Sequence, residues 1–277
     1  MTLEALAYKM QPAGHDKPAP RRSYPEPDRR LADALEVWLE RAATEEFYNN
    51  NQSYWYHEAL RLTMDLECDL DAAHGLLYNY QDHKEILGAG PFISTLYNKI
   101  PDTEIVYDLQ LPVRDLGLWL SKNKILVNKS TVGSGFGNCA MGTIINCGKA
   151  EGNLGCSSLG YVINLGPAES GLGSNSKGPV INDGERSDFA WEKGEGLYIN
   201  YVDTGYDSAF LMMDINGKCV GDKLHKGLDL YEYLAPIRSE LQEIRTDYKQ
   251  TRKFIENHPP LKLREDLLNI MKRYHHV

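Results

Sequence analysis

A short repeat through the middle of the chain constrains its fold more than any other feature of the sequence. A Val/Ile-Asn pair returns every 18 residues in five copies: Val127-Asn128, Ile145-Asn146, Ile163-Asn164, Ile181-Asn182 and Ile199-Asn200. Glycine keeps the same period in two more columns: Gly142, Gly160, Gly178 and Gly196, and Gly148, Gly166 and Gly184. Because independent columns share one register, the pattern indicates a tandem structural repeat.

A repeat unit of this length predicts a β-solenoid, in which each copy forms one turn and equivalent residues stack about 4.8 Å apart. Two aliphatic columns are predicted to fill a narrow interior: the Val/Ile column and its neighbour Leu126, Ile144, Val162, Val180 and Tyr198. A further apolar column contains Phe136, Leu154, Leu172 and Ala190. This column predicts a second wall in each turn and therefore a flattened coil.

The asparagine and glycine columns predict specific backbone features. The asparagines should form a ladder in which each side-chain amide bonds to its counterparts in the adjacent turns: Asn128, Asn146, Asn164, Asn182 and Asn200. The glycine columns are expected at corners that need a positive φ, because a Cβ is costly there. The glycine-rich stretch 133–137 is predicted to be such a corner, since it lacks the Gly-Lys-Ser/Thr ending of a phosphate loop.

The sequence excludes one familiar solenoid, the hexapeptide left-handed β-helix, which needs an aliphatic side chain at every sixth position. The residues that follow the Val/Ile column at that spacing are Gly133, Glu151, Glu169, Ser187 and Gly205. These side chains are not aliphatic. The inference from such a fold to a trimeric acyltransferase is therefore excluded as well.

The two ends of the chain have helical patterns, and residues 1–30 are predicted to be a flexible proline-rich arm. Apolar residues at three- and four-residue spacing predict a helical N-terminal domain over residues 31–104, and a helix over 228–257 followed by a last helix at the C-terminus. The open edges of a solenoid need cover. We therefore predict an α+β fold: a β-solenoid of about five 18-residue turns over residues 105–222, flanked and capped by N-terminal helices and by C-terminal helices over 223–277.

The repeat, with its Val/Ile-Asn pair and spaced glycines over about residues 126–217, resembles uncharacterised archaeal-type proteins with Asn/Gly-rich tandem units. It is also distantly similar to the glycine-rich right-handed β-helix of glutamate synthase and of a formylmethanofuran dehydrogenase subunit. In those families the β-helix props and spaces other domains while catalysis takes place elsewhere. The resemblance therefore implies a structural role, and it transfers no catalytic residue to this chain.

Metal-ligand residue types are densest between Asp65 and His74, where Asp71 and His74 have the i, i+3 spacing of helical carboxylate–histidine sites. A single pair of this kind does not make a metal centre, so a solvated acidic helix face is the favoured interpretation. The repeat carries no recurring catalytic grouping. We therefore predict no catalytic residue, no cofactor and no metal, and leave open whether this acidic cluster binds a metal ion.

Two surfaces are candidates for contact with a partner. Residues 245–277 carry eight basic against four acidic side chains, and possible anion contacts are Arg252, Lys253, Lys272 and Arg273. A basic helix that docks on the acidic body of the same chain is the favoured alternative. Tyrosine and tryptophan supply apolar area with a polar tip and are common at interfaces. The candidate interface residues in the N-terminal helical region are Tyr48, Tyr54, Trp55 and Tyr56.

Composition limits the remaining classes of function. The 277 residues carry a formal net charge of −9, which argues against general coating of nucleic acid. The N-terminal residues lack the layout of a secretory signal and the five cysteines form no Cys-x-x-Cys pair, so we expect reduced thiols and a cytoplasmic chain. No apolar run approaches the roughly 20 residues of a membrane span.

The leading hypothesis is a non-enzymatic scaffold or protein-interaction protein whose partner is another protein or a second copy of itself. The alternatives are an accessory subunit of a larger enzyme complex and an RNA- or ribosome-associated factor that uses the basic C-terminal helices.

Overall fold

In the described part of the chain, four α-helices precede the repeat. The computed structural model describes residues 24–43, 52–83, 86–184, 196–201, 211–212 and 228–275. The helices are α1 (Arg29–Ala42), α2 (Gln52–Thr63), α3 (Leu70–Asn79) and α4 (Gly90–Lys99), with a 3-10 turn at Ile86–Ala89. Asp28 caps α1 and Asp69 caps α3, each accepting a hydrogen bond from a backbone N–H of the first turn.

The repeat forms a parallel β-solenoid, which confirms the predicted fold class. Its strands are β1 (Glu104–Tyr107), β2 (Ile125–Asn128), β3 (Thr131–Val132), β4 (Thr143–Asn146), β5 (Lys149–Ala150), β6 (Val162–Asn164), β7 (Val180–Asn182), β8 (Leu197–Asn200) and β9 (Leu211–Met212). The main sheet has the order β1-β2-β4-β6-β7-β8-β9, parallel from β1 to β8, and β3 pairs with β5 on a second side of the coil. Equivalent repeat positions pair directly, as Asn128 with Asn146 and Ile163 with Ile181. Only β9 pairs in the antiparallel direction among these described strands.

The segment that precedes the first clear repeat is itself a turn of the solenoid. β1 pairs in parallel with β2, and Glu104 lies opposite Ile125, so this leading turn is longer than the later ones. Its Leu116-Gly117 pair matches Phe136-Gly137 of the next turn, where the Gly137 N–H donates to the Leu116 carbonyl at 2.8 Å. The extra residues lie between β1 and β2.

Among the described residues after the solenoid, three α-helices follow: α5 (Leu228–Thr246), α6 (Thr251–Asn257) and α7 (Pro260–His275). The continuous helix predicted over 228–257 is interrupted at Asp247, whose side chain accepts a hydrogen bond from the Lys249 N–H and begins a 3-10 turn. Asp183 ties α5 to the solenoid. Its side chain is 3% exposed and forms an ion pair with Arg238 at 2.9 Å, and its carbonyl accepts from Arg245 at 2.7 Å.

The two aliphatic columns of the main sheet face opposite ways, which corrects the prediction that both fill the interior. The Leu126, Ile144, Val162, Val180 and Tyr198 column faces inward and joins the N-terminal helices in one apolar core. The Val127, Ile145, Ile163, Ile181 and Ile199 column faces outward and forms a second core with α5, α6 and α7. The reason is the pleat, which sends neighbouring side chains of a strand to opposite faces. The C-terminal helices therefore cover the outer face of the main sheet.

The buried asparagines are joined by hydrogen bonds that run in one direction along the stack. Asn128 Nδ2 donates to Asn146 Oδ1 at 2.7 Å, and Asn146 donates to Asn164 at 2.8 Å. Asn164 donates to Asn182, also at 2.8 Å. The side chain of Asn200 lies outside the described part of the chain. Each amide spans one turn spacing, so this column fixes the register of the coil.

The glycine columns serve close packing, which corrects the prediction that they need a positive φ. A Cβ at Gly160 would lie 2.0 Å from the Gly142 carbonyl oxygen, and one at Gly166 would lie 2.1 Å from that of Gly148. These columns are therefore glycine because backbone stacks on backbone. Positive φ occurs at other positions, among them Gly135 and Gly137 of the stretch 133–137, where a corner was predicted, and the equivalents of Gly137 one and two turns later, with φ of 66–67°.

Helix α4 covers the first turn of the solenoid. Its side chains supply the hydrogen-bond acceptors that backbone carbonyls of a preceding turn would otherwise supply. The Gly117 N–H donates to Ser94 Oγ and the Ser121 N–H donates to Asn98 Oδ1, each at 2.8 Å. Asn98 Nδ2 in turn donates to the Trp119 carbonyl at 3.0 Å. These groups at the edge of the solenoid thus find their partners within the chain, which leaves them unable to pair with another chain.

Candidate functional site

The structure places Asp71 and His74 in different environments. His74 is 2% exposed and its Nε2 lies 3.0 Å from the Tyr97 hydroxyl, whereas Asp71 is exposed at the first turn of α3. Asp69 caps the same helix. In the part of the chain that the structure describes, no three His, Cys, Asp or Glu side chains are grouped to hold a metal ion. The histidine is a hydrogen-bonded core residue there.

The candidate aromatic interface residues have different environments. Tyr54 is 53% exposed, whereas Trp55 is buried edge-on against Trp38 with ring centroids 5.9 Å apart. Tyr56 is half-buried, and its hydroxyl accepts a hydrogen bond from Asn98 at 2.8 Å. Tyr48 lies outside the described residues.

The candidate anion contacts at the C-terminal end are used differently as well. Arg252 forms an ion pair with Glu104 at 3.5 Å and donates to Thr103 Oγ1 at 2.5 Å, so it ties α6 to the first strand. Lys253 is exposed. Lys272 and Arg273 lie within α7, but their side chains are outside the described part. The contacts of Arg252 accord with docking of the basic helices on the body of the chain.

A cleft of about 420 Å³ lies between the N-terminal helices and the first turns of the solenoid. The helical wall contains Gln52, Trp55 and Pro91. The polar part of the solenoid wall contains Arg114, Asp115, Ser134, Asn138, Glu151 and Asn153. The volume falls in the roughly 300–1,000 Å³ range of small-molecule sites, and apolar surface with a few convergent polar groups is typical of them.

Asp115 lies in this cleft with its backbone in the left-handed region, at φ 54°. The equivalent positions of the next three turns are Gly135, Asn153 and Gly171, also with positive φ, and glycine and asparagine tolerate it best. A Cβ at Gly135 would lie 2.1 Å from Asp115 Oδ1, so that glycine leaves room for the carboxylate. Oδ1 accepts hydrogen bonds from Gln52 at 2.9 Å and from Asn138 at 3.5 Å.

Burial raises the pKa of the Asp115 carboxyl from its ordinary value of 3.8 to about 6. The positive charge of Arg114 and the hydrogen bonds from Asn138 and Gln52 lower the pKa of the carboxyl, but they are outweighed by desolvation. Asp115 therefore gains or loses its proton near neutral pH. A titrating carboxyl in a cleft is a candidate functional group by its position as well as its chemistry.

Sequence reasoning did not find Asp115, although one signal was available. Aligning the leading turn on Leu116-Gly117 and Phe136-Gly137 places Asp115 in the column of Gly135, Asn153 and Gly171. A carboxylate in a column of glycine and asparagine departs from the pattern. The contact with Gln52 could not be inferred, because it depends on how α2 packs against the coil.

Three exposed apolar side chains lie on successive turns of the solenoid, Trp119 in the leading turn and Met141 and Leu159 in the next two, and we call this set the apolar corner. These side chains are 37%, 41% and 54% exposed, respectively. The Met141 N–H donates to the Leu120 carbonyl and the Leu159 N–H to the Ala140 carbonyl, each at 2.8 Å, so the two residues occupy equivalent positions of successive turns. The Tyr56 ring stacks on Trp119 with centroids 6.1 Å apart and extends this apolar corner onto α2.

Comparison of the chain with models of protein families, with curated proteins and with solved structures gives no match. In the described part of the chain, no helix combines the length and the apolar character that crossing a membrane requires.

Proposed function

We propose that this protein is a non-enzymatic scaffold that binds another protein chain at the apolar corner. The observation that carries the proposal is the exposure of Trp119, Met141 and Leu159 at one corner. Several large exposed apolar side chains on neighbouring turns are typical of binding sites. Tryptophan and methionine are both enriched at interfaces, and Tyr56 adds an aromatic ring beside them.

The frame behind this corner is suited to a scaffold. Continuous strand pairing and the asparagine hydrogen bonds hold successive turns in register, so Met141 and Leu159 are presented at a fixed spacing of about 4.8 Å. A surface held in this way loses little conformational freedom on binding, which favours affinity. The resemblance of the repeat to structural β-helices supports the same role.

The proposed binding surface is limited to the apolar corner. Because α5, α6 and α7 cover the outer face of the main sheet, those strands do not offer a flat binding wall. Arg245 donates to the Asp183 carbonyl and Arg252 forms an ion pair with Glu104. Because both arginines already have partners within the chain, we do not assign them to RNA binding.

We also propose that the protein works in the cytoplasm. The four described cysteines, Cys68, Cys139, Cys147 and Cys156, are free thiols. Free thiols are ordinary in a reducing compartment.

Native mass spectrometry of the protein gently purified from its source cells tests the proposed partner binding. The test variant is Met141→Asp, which places a charge in the apolar corner. The matched control is Leu261→Asp, because Leu261 is also an exposed aliphatic residue, 76% exposed on α7. We expect a second chain to co-purify with the wild type and the control and to be lost from the Met141 variant. Retention of the partner by all three proteins, or a wild type found only as a bare monomer, would refute the proposal.

A further inference from the structure

The cleft contains a hydrogen-bond acceptor whose environment is asymmetric. Asp115 Oδ1 receives both amide donors, from Gln52 and Asn138. Among the described residues, the structure shows no hydrogen bond to Oδ2. One oxygen is therefore held by the protein while the other is left to bind something else. The amides fix the orientation of the carboxylate from both walls of the cleft, since Gln52 belongs to α2 and Asn138 to the solenoid.

Two features of Asp115 lower the stability of the folded protein. It is a non-glycine residue with a positive φ, and its carboxylate is withdrawn from water far enough for desolvation to raise its pKa. The equivalent positions in later turns avoid the second cost by using glycine or asparagine. A carboxylate in a cleft whose desolvation outweighs the hydrogen bonds and the positive charge around it is typical of a residue kept for binding or chemistry, because its ionised form costs stability.

The groups around Asp115 indicate the chemistry of a ligand. Glu151 adds a second carboxylate on the solenoid wall, so the lining carries two carboxylates against the single guanidinium of Arg114, and Trp55, Pro91 and Leu118 supply apolar surface. This combination fits a positively charged donor group attached to methylenes. We propose that the cleft binds a small organic ammonium ion, a primary amine on an aliphatic chain, with Asp115 as its counter-ion and Glu151 as a second acceptor.

The charges around Asp115 determine how binding depends on pH. Arg114 on the same turn opposes a cation, Glu151 attracts one, and the thiol of Cys139 lies within the electrostatic reach of Asp115. The lining residues contributed by α2 and α4, Gln52, Trp55 and Pro91, carry no ionisable group. An ammonium ion binds the ionised carboxylate, so affinity should rise as the pH increases from 5 to 7.5 and Asp115 loses its proton.

Isothermal titration calorimetry with 1,5-diaminopentane tests this site on the full-length protein. The neutral probe 1,5-pentanediol has the same length and replaces both amines by hydroxyls. We expect the diamine to bind at pH 7.5 at least tenfold more tightly than the diol, and its affinity to fall at pH 5. In Asp115→Asn the affinity should drop at least tenfold and lose most of its pH dependence, while far-UV circular dichroism confirms that the variant is folded.

The matched control is Glu169→Gln, because Glu169 occupies the position equivalent to Glu151 one turn later and is an exposed partner of Lys149 at 2.7 Å. It should bind the diamine like the wild type, whereas Glu151→Gln should bind it more weakly. Three results would overturn the proposal: no diamine binding at millimolar concentration, equal binding of diamine and diol, or equal losses in the Asp115 and Glu169 variants. The last result would assign the binding to the negative charge of the whole surface.

Discussion

Replacing Asp115 by asparagine is expected to stabilise the protein at neutral and alkaline pH. Asparagine keeps an oxygen for the Gln52 and Asn138 amides and is well tolerated at φ 54°. Folding raises the pKa of Asp115 from 3.8 to about 6. At about 1.36 kcal/mol per pKa unit, the ionised carboxylate therefore lowers the free energy of unfolding by roughly 3 kcal/mol. We expect the variant to be more stable than the wild type by about 1–3 kcal/mol at pH 8.

The sign follows from proton binding. The raised pKa means that the folded protein holds the Asp115 proton more tightly than the unfolded chain does. The contribution to stability is therefore fully present below the unfolded value and is lost as the pH rises through about 6. The difference between wild type and variant should thus be largest at pH 8 and nearly absent at pH 4.

Urea unfolding at pH 4, 6 and 8, followed by fluorescence of the buried tryptophans, measures this difference. The matched control is Asp183→Asn, because Asp183 is also an aspartate of the solenoid but forms an ion pair with Arg238 at 2.9 Å. Loss of that charge weakens the attachment of α5, and we expect destabilisation of about 1–3 kcal/mol. If both variants changed stability in the same direction at pH 8, the argument from desolvation of Asp115 would be wrong.

Two further substitutions test the interior. Asn164→Leu removes two hydrogen bonds of the asparagine column and should lower the free energy of unfolding by about 1–3 kcal/mol. The same change at the exposed Asn123 should have little effect. Equal effects of the two substitutions in urea unfolding would contradict a structural role for the column. His74→Ala should destabilise by about 2–4 kcal/mol through a cavity and the lost contact with Tyr97, whereas Asp71→Ala should change little. Elemental analysis that found a bound metal lost from both variants would restore the metal interpretation.

The sequence determined the solenoid because stacking relates each residue to its equivalent one unit away. The same spacing that defines the repeat places Asn146 between Asn128 and Asn164, so the column and the parallel register follow from the period. The glycine columns were also visible in the sequence, but the sequence did not show why glycine is required at those positions. Only the packed backbone shows that a Cβ at Gly160 would meet the carbonyl of the preceding turn.

Tertiary packing decided which faces of the coil are covered and where a ligand can enter. A period does not reveal which of two adjacent aliphatic columns points outward, so the second core under α5, α6 and α7 appears only when those helices are placed. The cleft likewise depends on Gln52 reaching Asp115 across 63 positions of sequence. The sequence repeat does not predict this contact, because it arises from one helix packing against one irregular turn.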